Sequence, residues 1–320
     1  MPTRRSLLGL AALSPFTAMP AASSPAGEPA PLWTQGEPHP IWPGPAPGGE
    51  RVLAPAATGG EGGPPEPAFL RGVRVPAVHV FRPGRADGRA VLVIPGGAYS
   101  FVSIANEGLD VARRFTASGV TVLVLVYRLP GEGWTPRADV PLQDAQRAMR
   151  WARAHERELG IDGARIGVLG FSAGGHLAAS LAVGHEEEIH APVDAIDRLS
   201  ARPRYCGLVY PVVSLLDPWT HRESRTLLLG PEFSESDCRR RSPHLHVGPA
   251  TPPVFLAHGM DDSAVPVENS MMMMEAMRRA SRPVEAHFFE HAEHAFALGH
   301  PGSPTEQWPG QFLAWAAEPA

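Results

Sequence analysis

The chain has 320 residues, 43% of them apolar, with 36 prolines, 33 glycines and a formal net charge of -5. That length allows one large domain or two small ones, and the apolar share can fill a sizeable core. Charges of both signs are scattered, and no basic cluster follows the N-terminus, which argues against nucleic acid as a partner.

The first stretch, MPTRRSLLGLAALSPFTAMPAASSPAG, sets Arg4 and Arg5 ahead of an apolar run from Leu7 to Ala12, then small residues. This is the layout of an export signal, and the arginine pair favours the twin-arginine route. Residues 1–26 are therefore expected to be a signal peptide, and the protein periplasmic or secreted. The apolar run is too short for stable membrane insertion. Residues 27–75 are rich in Pro, Gly, Ala and Glu without a lasting period. They predict an extended lead-in, partly draped over the body and partly disordered, with Trp33 and Trp42 as anchors.

Residues 76–320 read as one folded domain. VHVF (78–81) and AVLVIP (90–95) are strand candidates, and the latter ends at Pro95-Gly96-Gly97. Leu109, Val111, Ala112 and Phe115 have helical spacing between Asn106 and Ser118, and Gly119 ends that helix. VTVLVLVYR (120–128) is apolar and β-branched, as a strand covered on both faces should be. A long amphipathic helix follows from Asp139 to about Glu158. RIGVLG (165–170) is a buried strand, with helix from Gly174 onward. YCGLVYPVV (205–213), PVFLAHG (253–259) and VEAHFFE (284–290) are further strands, with helices at about 268–281 and 304–317. The alternation predicts an α/β fold, with a mostly parallel doubly wound sheet and helices on both faces. The weakly periodic segments 185–204 and 216–250 are expected to be insertions over the strand ends, where substrate loops usually lie.

Ser172 occupies the centre of G-x-S-x-G, in GFSAGGHLAA, between a strand and a helix. So sharp a turn needs tiny flanking residues and holds the hydroxyl out at a helix N-terminus, where amides and dipole favour developing negative charge. An alcohol needs a base to become nucleophilic, and the base needs an orienting acid, expected downstream in the order Ser, acid, His. VFLAHGMDDSAVPV offers Asp261 and Asp262, and FFEHAEHAFAL offers His291 and His294, both groups just past strands. His176, one turn past the serine, is expected to be structural.

Together VIPGGAYSF (93–101), GFSAGGHLAA, HGMDDSAVP and EHAEHAFAL resemble the α/β-hydrolase superfamily. The similarity is to its serine esterases of the acetylxylan-esterase and feruloyl-esterase-like (BD-FAE-like) branch, with hormone-sensitive-lipase-like enzymes nearby. It spans about residues 78–317. The resemblance implies an α/β-hydrolase fold and a Ser172, Asp262, His294 triad, since Asp262 falls at the acid of H-G-x-x-D-x-x-V-P and His294 precedes Ala295-Phe296 in place of Gly-Phe. Here Ala292, Glu293 and Ala295 depart from the glycines around the family's histidine. Oxyanion donors are expected from the amides of Ala173, Gly97 and Ala98, and Tyr99 is expected either to line the acyl pocket or to pack the loop. Asn106-Glu107-Gly108 resembles a family element that supports that loop or caps its helix.

The function implied is acyl-enzyme hydrolysis of short-chain esters, with acetyl groups on carbohydrate such as xylan fragments as the expected substrate. Lipase-like action on small non-carbohydrate esters is the alternative within the class. Outside it stand a serine peptidase and a binding protein on the same scaffold. The first usually carries a large extra domain, and the second would be expected to have lost a triad member. No cofactor is called for. Zinc-dependent deacetylation through HAEH (291–294) or HLH (244–246) is a weak rival, because no carboxylate stands at a fitting spacing. MMMM (271–274) reads as core-facing helix, and Cys206 as a buried thiol, although export would permit a bridge to Cys238.

Overall fold

The computed structural model describes residues 36–49 and 69–318. The expected signal at 1–26, Trp33 and much of the expected lead-in lie outside the described residues. Eight strands form one sheet: β1 (Glu37–Pro40), β2 (Ala77–Phe81), β3 (Ala90–Ile94), β4 (Thr121–Val126), β5 (Ile166–Phe171), β6 (Cys206–Val209), β7 (Val254–Gly259) and β8 (Val284–Phe289). Their order is β1-β2-β4-β3-β5-β6-β7-β8. All pairs from β4 through β8 are parallel, and β1 and β2 add an antiparallel margin. The helices used below are α1 (Asp110–Thr116), α2 (Val140–Ala154), α3 (Ser172–Gly184), α4 (Arg222–Leu229), α5 (Glu235–Arg240), α6 (Glu268–Arg279) and α7 (Trp308–Ala317).

The continuous apolar runs of β3, β4 and β5 are buried at every position, as strands with helices on both faces must be. Alternation along β3 splits the core in two. Leu92 and Ile94 pack with Met149 of α2, Leu177 of α3 and Met273 of α6. Val91 and Val93 pack with Phe115 of α1 and with Trp308 and Phe312 of α7. This is the doubly wound arrangement that the alternation predicts.

Several boundaries differ from expectation for local reasons. EPHP carries two prolines, yet it pairs as β1 along β2. A sheet margin tolerates proline because the missing N–H faces no partner strand. Residues 36–49 are further fixed by buried guanidinium groups. Arg147 donates to the Ile41 carbonyl and Arg128 to that of Pro47, while the Trp42 indole donates to Asp144 at 2.8 Å. Trp42 is thus the anchor expected of it.

The run at 205–213 leaves the sheet after Val209. Tyr210 has φ 36°, Pro211 has no N–H to donate, and the Val212 amide bonds the Ser172 carbonyl at 3.0 Å. The helix after β5 begins at Ser172 itself rather than at Gly174. Cys206 and Cys238 are both buried and unpaired. Of the methionine run, Met273 is fully buried and Met271, Met272 and Met274 are not.

The two weakly periodic segments lie at opposite ends of the strands. Residues 216–250 follow the carboxyl end of β6 and carry α4 and α5. Residues 185–204 follow the far end of α3 and lead into the amino end of β6, where the Arg204 amide bonds the carbonyl of Ile166, first residue of β5. The expectation that both cover the reactive ends is corrected for 185–204: a βα unit returns the chain to the opposite rim of the sheet before the next parallel strand.

Candidate active site

Ser172 stands at the junction of β5 and α3 with φ 51°, a left-handed conformation for a residue with a side chain. Strain of this kind is of the order of 1–3 kcal/mol and persists only where packing over-determines it. The packing is visible at the flanking glycines. A Cβ at Gly170 would lie 2.2 Å from the Gly174 carbonyl oxygen, and one at Gly174 would lie 2.2 Å from that of Ile94. The frame therefore needs glycine on both sides for contact reasons.

His294 follows β8, and its Nε2 lies 2.9 Å from Ser172 Oγ. Its Nδ1 lies 2.7 Å from Asp262 Oδ2. An ionised carboxylate only accepts, so Nδ1 donates and Nε2 is left to accept the serine proton. Asp262 follows β7 and has no exposed side-chain surface. Its Oδ1 accepts from the amides of Ala264 and Val265 at 3.0 and 2.8 Å. Burial alone would raise the Asp262 pKa. Hydrogen bonds from His258, His294 and the Val265 amide outweigh it and hold the carboxyl well below the usual range. The fully buried His258 contributes from β7: Nε2 donates to Asp262 Oδ2 at 3.2 Å and to the Val265 carbonyl at 3.0 Å, and Nδ1 accepts from the Ser270 hydroxyl at 2.7 Å.

The competing candidates pair with each other on the surface. Asp261 accepts from the Ala292 amide at 2.6 Å and faces His291 Nδ1 at 3.4 Å, with the His291 side chain 82% exposed. Ala295 has φ 63° and Ala297 φ 47°. Alanine at 295 thus takes a left-handed backbone that glycine would adopt without strain.

The loop after β3 lies against the nucleophile, since a Cβ at Gly96 would come within 2.9 Å of Ser172 Cβ. Gly97, Ala98 and Tyr99 follow with φ of 118°, 54° and 63°. The Gly96 amide is taken by Glu107 Oε2 at 2.7 Å. The amides of Gly97, Ala98 and Ala173 remain as the expected donors, the last among the N–H groups that an α-helix leaves without an internal partner.

Tyr99 does not offer a surface to an acyl group. It is 1% exposed and its hydroxyl bonds His176 Nδ1 at 2.8 Å. His176 Nε2 in turn donates to the Arg241 carbonyl at 2.7 Å, and burial pulls the His176 pKa down to about 4. Both residues are structural, which corrects the acyl-pocket expectation for Tyr99; a phenol aimed into the core finds its partner there.

Sequence reasoning missed four contributors. Tyr210 packs edge-on against the His294 ring at 4.9 Å. His258 braces the acid. Asn269 is fully buried; its Oδ1 accepts from Val213 and Ser214 amides and its Nδ2 donates to the Trp219 and Pro266 carbonyls. His221 is half-buried, close enough to His294 and Asp262 for their charges to act on it, and burial is the main cause lowering its pKa. Only His258 carried a sequence signal, as the opening residue of its motif. Among the described residues no group of three or more His, Cys, Asp or Glu is arranged to hold a metal ion.

The BD-FAE family model matches residues 79–277. A stretch of 210 residues is 33% identical to endo-1,4-beta-xylanase B of Butyrivibrio fibrisolvens, covering 66% of this chain and 33% of that protein. Another of 226 residues is 28% identical to an acetylxylan esterase of Xylanibacter ruminicola, covering 68% and 43%. The chain thus spans less than half the length of these curated relatives. Among solved structures, the acetyl ester-xyloside bifunctional hydrolase of Caldicellulosiruptor lactoaceticus superposes with a TM-score of 0.71 at 32% identity, covering 88% of this chain and 95% of that one.

Proposed function

We propose, from the premise that the chain belongs to the BD-FAE family, that it is a serine carboxylic ester hydrolase of α/β-hydrolase fold. We propose further that it removes short acyl groups, acetyl above all, from carbohydrate such as xylan fragments. The observation that carries the reading is the continuous relay from Ser172 through His294 to Asp262, at 2.9 and 2.7 Å. In this mechanism His294 Nε2 takes the Ser172 proton as Oγ attacks the ester carbonyl. Asp262 holds the ring in the required tautomer and stabilises its charged form. The amides of Gly97, Ala98 and Ala173 receive the oxyanion, each donor supplying about 3 kcal/mol of barrier lowering. His294 then protonates the leaving alcohol, and water, activated by the same ring, releases the acid.

The carbohydrate assignment leans on the names of the three relatives above, a xylanase, an acetylxylan esterase and an acetyl ester-xyloside hydrolase. Replacing Ser172 by Ala should abolish hydrolysis of p-nitrophenyl acetate in a protein that still folds, and retained turnover would overturn the mechanism. A p-nitrophenyl ester series run beside acetylated xylo-oligosaccharides tests the substrate. Acetate should lead and the oligosaccharides should be deacetylated; preference for octanoate would favour lipase-like action instead. We also propose export, from Arg4, Arg5 and the apolar run behind them. Changing both arginines to lysine should hold the protein in the cytoplasm when cells are fractionated.

A further inference from the structure

Glu107 is 3% exposed, and it sits between the two loops that the chemistry needs. Its Oε2 accepts the Gly96 amide at 2.7 Å, next to the proposed oxyanion donors. Its Oε1 accepts the Tyr210 hydroxyl at 2.9 Å, from 103 residues away. That hydroxyl also accepts the Ala297 amide at 3.1 Å, three residues past His294, while the Tyr210 ring stands edge-on to the His294 ring. The Gly96 amide can only donate, and the Tyr210 hydroxyl, which already accepts from Ala297, has its own proton to give to Oε1. The arrangement suits an anion, although burial pushes the Glu107 pKa upward against these bonds. Glu107 lies in a wide helical turn, Ala105–Leu109, ahead of α1.

We propose that Glu107, acting through Tyr210, is a positioning residue that locks the oxyanion loop to the histidine loop. It fixes the distance between the amides that receive the oxyanion and the imidazole that moves the proton. This rests on the triad reading above and adds to it, because among the described residues no other side-chain hydrogen bond links the two loops. Catalysis of this kind is sensitive to placement: a shift of about 1 Å can lower the rate about 100-fold without touching the reacting groups.

The test uses Glu107→Gln and Tyr210→Phe, singly and together, on the full chain. Glutamine keeps the volume and can still accept from Gly96, but its N–H2 cannot accept the Tyr210 proton, so the bond in which Tyr210 donates to a carboxylate is lost. Tyr210→Phe removes the hydroxyl and keeps the ring against His294. Titration with a fluorophosphonate gives the concentration of reactive Ser172, so turnover is expressed per reactive site and misfolded material drops out. Each single variant should lose about 10- to 100-fold in kcat for p-nitrophenyl acetate, with KM within about two-fold of the parent. The double variant should be no worse than the weaker single one, because both cut the same bridge. Single variants within about two-fold of the parent per site, or losses that multiply in the double variant, would overturn the proposal. A purely structural role would lower the titratable fraction and leave kcat per site unchanged. If the parent labels with fluorophosphonate but hydrolyses no ester, the functional reading fails. The bridge is then still read from labelling rates of the variants, which should fall by the same factors.

Discussion

Residues 185–204 and 216–250 look alike in sequence, with weak periodicity, scattered charges and little apolar pattern, yet they serve opposite rims of the sheet. Residues 216–250 bring His221 within electrostatic reach of His294 and Asp262 and leave Trp219 38% exposed on the same loop. Residues 185–204 are a platform for arginines. Arg147 grips Asp194 with two bonds of 2.7 and 2.6 Å and reaches Asp197 at 3.0 Å. Arg150 and Arg153 bind the carbonyls of Leu199, Ser200 and Arg202. A cleft of about 850 Å³ lies beside this platform, lined by Gln146, Arg150 and residues 185–192 and 197–201. It lies at the wrong rim for the triad. Size alone is therefore a poor guide in this molecule, and the polarity of the strands is the better one.

The contrast can be broken in four places. The largest effect should come at the carboxyl rim from Asp262→Asn. It keeps the shape of the acid but inverts its hydrogen-bond role toward His294, and kcat should fall about 10⁴-fold with p-nitrophenyl acetate. A loss under about ten-fold would mean that Asp262 does not orient the ring. Next, Trp219→Ala should raise KM for acetylated xylo-oligosaccharides several-fold while leaving p-nitrophenyl acetate almost untouched. Equal effects on both substrates would remove 216–250 from substrate contact.

At the amino rim, Asp197→Ala should lower stability by about 2 kcal/mol in urea unfolding, since it strips a buried partner from Arg147 and Arg150. Its kcat/KM should stay at the parent value. Asp194→Asn should act more weakly and with a defined pH dependence. The hydrogen bond from Arg147 is the main cause holding the Asp194 pKa below its ordinary value. A carboxylate depressed in the folded state stabilises fully above its unfolded pKa, about 3.9, and loses that contribution as pH falls through the folded value. The parent should therefore melt above the variant at pH 7, and the two curves should converge below about pH 4. A gap that persists in acid would assign the effect to packing. An activity loss in either amino-rim variant would undo the division of labour itself. The smallest change sharpens the carboxyl rim. Ala295→Gly should relieve the left-handed backbone and raise stability by about 1 kcal/mol, provided the loop keeps its path. Lost stability would show that the alanine methyl is needed for packing.

What the sequence made legible follows contact range. Ser172 could be read because strand, tight turn and helix are adjacent in the chain. Asp262 could be separated from Asp261 by a short frame, and the structure gives the reason: the two carboxylates face different histidines, 294 and 291. Tyr210 and Glu107 were not legible as a pair, because a bond across 103 residues leaves no local pattern. Tyr99 was ambiguous until its partner His176 was located. β1 was hidden by its prolines, and the rim on which 185–204 lies was decided by strand direction rather than composition.

The docking of residues 36–49 also has a practical side. Arg128 and Asp144 form an ion pair with no exposed side-chain surface, roofed by Trp42 and closed by the Pro47 carbonyl. Deleting this stretch to obtain a shorter gene product would open two formal charges to water and strip the β2 margin of its neighbour. A tag or fusion partner is thus better joined upstream of Gly36. Residues 36–49 belong with the folded body, although the family match begins only at residue 79.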